Sequence, residues 1–356
     1  DYLGQDNTLM FSASDTKSGL KQILVTLEQD GNVKEIYSKS FPRPSKDNQK
    51  QTVVSSQDLQ IQPKNLGFKD GPVKLQIQVE DQSFRGFFSG NKTLISKSFT
   101  IDTAAPKINI LHSERYIQPG GSGIFIYRLI GEPVKYGLNL NGKINPGFLV
   151  GDGRDDVFIS YFGLNYDAKD FSNAFIFAED RAGNKTKVPV SSIYKRSNFK
   201  EDRINVGDGF LNKKIPEFQQ YYPEMEGSFV EKYLFTNNKV RQKNNAKISS
   251  LCNNSNAERL WNGSFLRMAG STRAGFADHR TYYYQGKPID QQVHLGVDIA
   301  STKRTNIKAA NGGVVVYADY LGIYGNMVIL DHGQGVFSLY SHLSQINVAV
   351  EDKVDR

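Results

Sequence analysis

Apolar and polar residues alternate along much of the first two hundred positions. Leu20, Ile23, Val25 and Leu27 form one such set, and Val73, Leu75, Ile77 and Val79 form another. A period of two puts successive side chains on opposite faces, so both sets predict half-buried β-strands. Turn-forming clusters such as Asp30-Gly31-Asn32 and Lys69-Asp70-Gly71-Pro72 separate them. Asp102-Thr103-Ala104-Ala105-Pro106 marks a boundary, because proline interrupts strand pairing. A second β-rich stretch follows and ends at Ala174–Ala178 and Glu179-Asp180-Arg181-Ala182-Gly183-Asn184. From about 196 to 257 the alternation stops. Lys213–Tyr222 and Glu231–Ser250 are polar and rich in Lys and Asn, which predicts short helices and linker. Strand character returns after Trp261.

The two β-rich stretches read as loose copies of one unit, with Val79-Glu80-Asp81 and Ala178-Glu179-Asp180 at equivalent ends. Both resemble bacterial immunoglobulin-like modules, in which a strand runs into a D-x-x-G-N turn. Only the second copy shows that turn uninterrupted. Such modules act as spacers that hold a neighbouring domain away from an anchor; carbohydrate binding is the sharper alternative, and no residue singles it out.

A length of 356 residues fits two to four domains. No apolar run approaches the roughly 18 to 20 residues of a membrane helix. The opening Asp1-Tyr2 suggests that a signal peptide or membrane anchor lies upstream. A formal charge of +7, from 44 basic and 37 acidic residues, is spread along the chain. Without a basic arm or stripe it does not predict a nucleic-acid partner. Cys252 is the single cysteine, so an intrachain disulfide and a cysteine-based zinc cluster are excluded. Cys252 itself reads as a small linker or core residue, and His112 as an ordinary residue of the second β-rich stretch.

Chemistry concentrates in Val293-His294-Leu295-Gly296-Val297-Asp298-Ile299-Ala300. Imidazole nitrogen and carboxylate oxygen are both zinc donors. Four residues of straight strand span about 13 Å, too far for one ion. Val293, Val297, Ile299 and Gly296 disfavour a helix. The expectation is therefore a bend at Gly296, exploiting glycine's freedom of dihedral, that brings His294 and Asp298 together. Downstream, Tyr324–Leu330 and Val336–Ser344 form a hairpin around Asp331-His332-Gly333-Gln334-Gly335, with His342 near the far end.

Four blocks carry a closer resemblance: H-L-G-V-D-I-A at 294–300, A-A-N-G-G-V-V at 309–315, Y-G-N-M-V-I-L-D-H-G at 324–333 and L-Y-S-H-L-S at 339–344. In this order and spacing, the region from Trp261 to Arg356 is similar to the lysostaphin/LytM family of zinc endopeptidases, which cut peptide cross-links of bacterial cell walls. The resemblance implies His294 and Asp298 as zinc ligands, His342 as the catalytic histidine, and peptidoglycan as the partner. It places the protein in the periplasm or cell envelope. It also implies a transition-state tyrosine in the neighbourhood of Tyr282, Tyr283 and Tyr284. His332 reads as a turn residue and His279 as a solvated residue on the approach to the site.

The family's third ligand belongs to a downstream His-x-His pair, and no such pair precedes Arg356. The expectation is a gene product that continues further; a strand from another polypeptide and a degenerate domain are the alternatives. Together these readings predict a mainly β protein: immunoglobulin-like sandwiches at 1–104 and 105–195, a partly helical linker at 196–257, and an antiparallel β peptidase domain at 258–356 lacking its last strands. The rival functions are a non-catalytic module that activates or scaffolds other wall hydrolases, and an adhesion protein whose sandwiches do the binding.

Overall fold

A computed structural model describes residues 1–43, 53–83, 90–151 and 153–356. The chain is mainly β; among the described residues the α-helices fall within 208–251, and a short 3-10 turn lies at Gly322–Tyr324. It divides into two compact units. One comprises Asp1–His112, Ile126–Phe158 and Asn173–Val190; the other comprises Ser113–Phe125, Ile159–Ser172 and Ser191–Arg356.

In the first unit, Leu20–Gln29 sits between Asn32–Ser40 and Gly71–Asp81, all antiparallel. Leu20, Ile23, Val25 and Leu27 are almost wholly buried, joined by Val73 and Leu75. The predicted alternation thus marks the face that leaves water. Further along, Pro133–Leu140 pairs with Ala174–Asp180, burying Leu138, Ile176 and Ala178.

Both β-rich stretches end in the same side-chain clasp. Asp180 accepts hydrogen bonds from Asn184 N (2.9 Å) and Nδ2 (2.8 Å), and its own N–H donates to Asn184 O (3.1 Å). Asp81 is held in the same three ways by Asn91, with both side-chain contacts at 2.7 Å and the backbone bond at 3.1 Å. The partners are 4 positions apart in one case and 10 in the other. The first copy therefore carries the same Asp–Asn clasp, at a sequence separation that hides the D-x-x-G-N spacing.

In the second unit, Glu201–Asn205 pairs parallel with Asp278–Tyr284, which pairs antiparallel with Lys287–His294. Helices Asp208–Gln219 and Phe229–Phe235 pack on this sheet through Leu211, Ile215, Tyr233 and Tyr282. A π turn at Thr236–Val240 joins the second helix to Arg241–Leu251. Its Asn237 and Asn238 amides both donate to Asp290 Oδ2, at 2.6 and 3.1 Å.

A four-stranded sheet has Phe337–Leu343, Asn326–Asp331, Gly313–Tyr320 and Lys353–Val354 in that order, and Ser271–Ala274 pairs separately with Asp298–Ala300. Asn326–Asp331 is covered on both faces. Met327 and Ile329 pack toward Ile248, Leu251 and Cys252, whereas Val328 and Leu330 pack with Val315, Tyr340 and Val354. Coverage on both sides explains a nearly continuous apolar run in an antiparallel strand. Cys252 accordingly sits at the edge of a core, where burial raises its thiol pKa and the Asp331 charge adds to the rise.

Candidate metal centre

His294 closes one strand and Asp298 opens the next, with a bend at Gly296 between them. The bend brings His294 Nε2 to 3.3 Å from Asp298 Oδ1. The expected reason for the glycine needs correction. Gly296 is absent from the positive-φ residues, so the bend uses ordinary dihedrals. An added Cβ would lie 3.8 Å from His294 Nε2, an ordinary contact distance, so neither the backbone angle nor room for a Cβ requires glycine at 296.

His294 Nδ1 lies 2.8 Å from Gly275 O. A carbonyl only accepts, so Nδ1 carries the proton and Nε2 of the neutral ring presents its lone pair. Two electron-rich groups then face each other at 3.3 Å, an arrangement that a cation or a proton must relieve. The donor chemistry suits a divalent metal such as zinc, with the histidine tautomer set by a backbone carbonyl as metal-binding histidines require. Among the described residues, no third His, Cys, Asp or Glu joins the pair. His294 is 15% exposed and Asp298 45%, so the carboxylate is open to solvent and to a ligand.

Arg280 Nη2 lies 3.3 Å from Asp298 Oδ2, the oxygen turned away from His294. Arg280 occupies the Asp278–Tyr284 strand two residues from Asp278, whose Oδ2 accepts from Gly275 N at 2.7 Å. His279, between them, belongs to the opposite face. It stacks against Phe199 (centroids 6.2 Å, 17° between planes), with Tyr166 edge-on at 6.5 Å. His279 is therefore a strand residue, not a loop residue, and strand alternation turns it away from Asp298.

His342 lies near enough to Asp298 and His294 to feel both charges. Burial pushes its imidazole pKa down; Asp298 opposes this, while His294 and Lys214 add to it. The ring is thus neutral at neutral pH. Its placement depends on a β-bulge: Val328 faces Tyr340 and Asn326 faces Leu343, so Ser341 and His342 together oppose Met327. His342 adopts φ +58°, a left-handed conformation uncommon for any residue but glycine. Gly325, at φ 62° and ψ −148°, passes beneath it, with the site of an added Cβ 3.8 Å from His342 Cα and Nδ1. Asn326 Nδ2 donates to Leu343 O (3.0 Å), bracing the far side of the bulge.

The remaining candidates make packing and hydrogen-bond contacts of their own. His332 is fully buried, with Nδ1 2.6 Å from Gly312 O and Nε2 2.7 Å from Ser338 Oγ. Ser338 Oγ reaches Tyr340 Oη at 2.8 Å, and Tyr340 Oη accepts from Ala310 N at 2.7 Å. His332 therefore ties the 310–312 turn to the hairpin rather than serving the turn it belongs to. Tyr282 packs edge-on to Tyr233, Tyr283 lies under the Arg203 guanidinium, and Tyr284 donates to Asp208.

Residues 292–356 match Peptidase family M23. The DD-carboxypeptidase/endopeptidase Mpg of Neisseria meningitidis is 38% identical over 58 residues, 16% of this chain and 14% of that protein. Outer membrane antigenic lipoprotein B of Haemophilus influenzae is 35% identical over 71 residues, 20% of this chain and 18% of that protein. The chain thus spans under a fifth of the length of these relatives. Among solved structures, one assigned to peptidase M23 from Pseudomonas aeruginosa aligns at 18% identity over 67% of this chain and 78% of that one, with a TM-score of 0.39. An ICAM-5 ectodomain fragment aligns at 12% identity over 54% of this chain and 51% of that one, with a TM-score of 0.22.

Proposed function

Because residues 292–356 form a Peptidase family M23 domain, we propose that the protein is a zinc-dependent endopeptidase that cleaves peptide cross-links of bacterial peptidoglycan. The observation carrying this reading is the opposition of His294 Nε2 and Asp298 Oδ1 at 3.3 Å, with the histidine proton held on the other nitrogen. His294 and Asp298 would hold the ion. Zinc bound there supplies Lewis-acid polarisation of the scissile amide and of the attacking water. His342, a neutral imidazole within electrostatic reach of His294 and Asp298, would accept the water's proton on its ring and return it to the leaving amine. Asp298 is half exposed, and Leu295 and Val297 beside it in the chain are exposed apolar side chains that a substrate peptide could cover.

An exported location, periplasm or cell envelope, goes with this substrate. No helix among the described residues is long and apolar enough to cross a membrane. The immunoglobulin-like modules at 1–104 and 105–195 would serve as spacers, 196–257 as the connection and 258–356 as the peptidase domain.

The test is release of soluble peptide from purified peptidoglycan, with zinc content measured on the same samples. Asp298→Ala should lose both zinc and hydrolysis. His342→Ala should keep zinc and lose turnover by at least about 100-fold, the usual scale of general acid–base catalysis. Unchanged turnover in His342→Ala would remove that residue from the mechanism. Zinc uptake without any hydrolysis by the wild-type protein would instead favour the non-catalytic module.

A further inference from the structure

The Asp278–Tyr284 strand presents two polar side chains, Asp278 and Arg280, on the face opposite His279. Each is linked to a different member of the His294–Asp298 pair. Arg280 reaches Asp298 directly, through Oδ2. Asp278 acts through a turn: its Oδ2 accepts from Gly275 N, and Gly275 O accepts the Nδ1 proton of His294.

The turn is braced at a third point. Ala277, wholly buried at φ +63°, donates its N–H to His294 O at 2.7 Å. Asp278 is also the direct cross-strand partner of His294. A left-handed alanine costs about 1 kcal/mol or more, so this conformation persists only because the surrounding bonds define it. Asp278 is 5% exposed, and its bond to Gly275 N, together with the Ala277 N–H bond to His294 O, holds the turn that carries the Gly275 carbonyl. Loss of the Asp278 bond releases one end of that turn, and with it the carbonyl that accepts the Nδ1 proton of His294.

Arg280 solves a different problem. Asp298 is nearly half exposed and lies at the start of a short strand, so its carboxylate is free to rotate unless one oxygen is held. The guanidinium holds Oδ2 and leaves Oδ1 toward His294 Nε2. As a cation, Arg280 also repels a metal ion. The geometry favours orientation over repulsion, because Arg280 contacts the oxygen on the far side of the carboxylate.

We infer that Asp278 and Arg280 are positioning residues for a metal ion at His294 and Asp298: Asp278 sets the His294 tautomer and Arg280 fixes the Asp298 carboxylate. This rests on the proposed zinc site but assigns two residues that do not themselves ligate. Loss of such outer partners typically weakens metal affinity by about 10- to 100-fold.

The experiment is a zinc titration of the metal-stripped full chain against a chromophoric chelator, with circular dichroism as a folding control. Arg280→Gln should weaken zinc binding by about 10- to 100-fold, and Arg280→Lys should recover part of it. Asp278→Ala should weaken binding similarly, whereas Asp278→Asn, which keeps an acceptor for Gly275 N, should bind nearly as wild type. In the metal-free protein, ring-nitrogen NMR of His294 should show the proton on Nδ1 in wild type and Asp278→Asn, and on both nitrogens in Asp278→Ala. This signal also decides the matter for a variant too unstable to titrate, since the wild-type tautomer is read on its own. Equal or tighter zinc binding in Arg280→Gln, with Asp298→Ala still defective, overturns the inference and spares the zinc site. If wild type and Asp298→Ala take up zinc equally, or neither does, the zinc reading itself fails.

Discussion

His342 occupies a left-handed conformation at φ +58° where a β-bulge re-aims its ring. For an L-residue that conformation costs about 1–2 kcal/mol, and glycine avoids the cost. His342→Gly should therefore be more stable than His342→Ala by about 1 kcal/mol in chemical denaturation, while both lack hydrolysis. Equal stabilities would remove the idea that strain is stored there. The same residue sets a pH dependence. Burial lowers its pKa below the ordinary 6.5, so between that value and the folded one the unfolded chain binds more protons. Stability then falls as the pH drops through that window, and none is lost above it. Because the base must be neutral, the acidic limb of the hydrolysis profile should lie below about 6.5, the unperturbed histidine value. A limb above that value would contradict the neutral-base role.

At the level of elements, Gly325 and the Asp81–Asn91 clasp show how local conformation positions larger pieces. Gly325 has φ 62° and ψ −148°, a region essentially restricted to glycine. Gly325→Ala should cost about 1–3 kcal/mol and displace the bulge that carries His342, lowering turnover more than zinc affinity. At the clasp, burial alone would raise the Asp81 pKa, but hydrogen bonds from Asn91 and Ser83 outweigh it and hold it at about 2. This stabilisation is present above the ordinary value of 3.8 and is lost as the pH falls from there toward 2. Asp81→Ala should accordingly lose about 1–3 kcal/mol at neutral pH, and its stability should decline less steeply in acid than that of wild type. Parallel acid profiles would exclude the clasp as the source. These features were partly legible. The hairpin was read from Tyr324–Leu330 and Val336–Ser344, but the bulge depends on pairing register, which no single strand encodes. The first clasp was hidden because its two partners are ten positions apart.

At the scale of the molecule, the second clasp also fastens its β-rich stretch to the beginning of the chain within the first unit. Asn184 Oδ1 accepts from Gln5 N at 2.7 Å, and its Nδ2 donates to Asp102 O at 2.8 Å. A Cβ added at Gly4 would lie 2.3 Å from Ala182 O, so only glycine permits that approach. Gly4→Ala and Asn184→Ala should each lower the melting temperature of the full chain, and their effects should be less than additive because they disrupt one junction. Full additivity would mean that the two contacts are independent.

Strand periodicity, the polar change after residue 196 and the His294–Asp298 spacing are properties of neighbouring residues, which is why the chain itself indicates a mainly β protein, short helices within 196–257 and a His and an Asp poised to meet across a bend. Hydrophobic alternation specifies which face leaves water, and four ordered blocks specify a peptidase-like segment. What requires the tertiary structure is everything that depends on register between distant strands: Arg280 against Asp298, Asp278 behind His294, His279 turned aside, and His332 buried as a tie. A one-residue slip in pairing reverses the face of every side chain, and a single bulge redirects one. No local pattern records either.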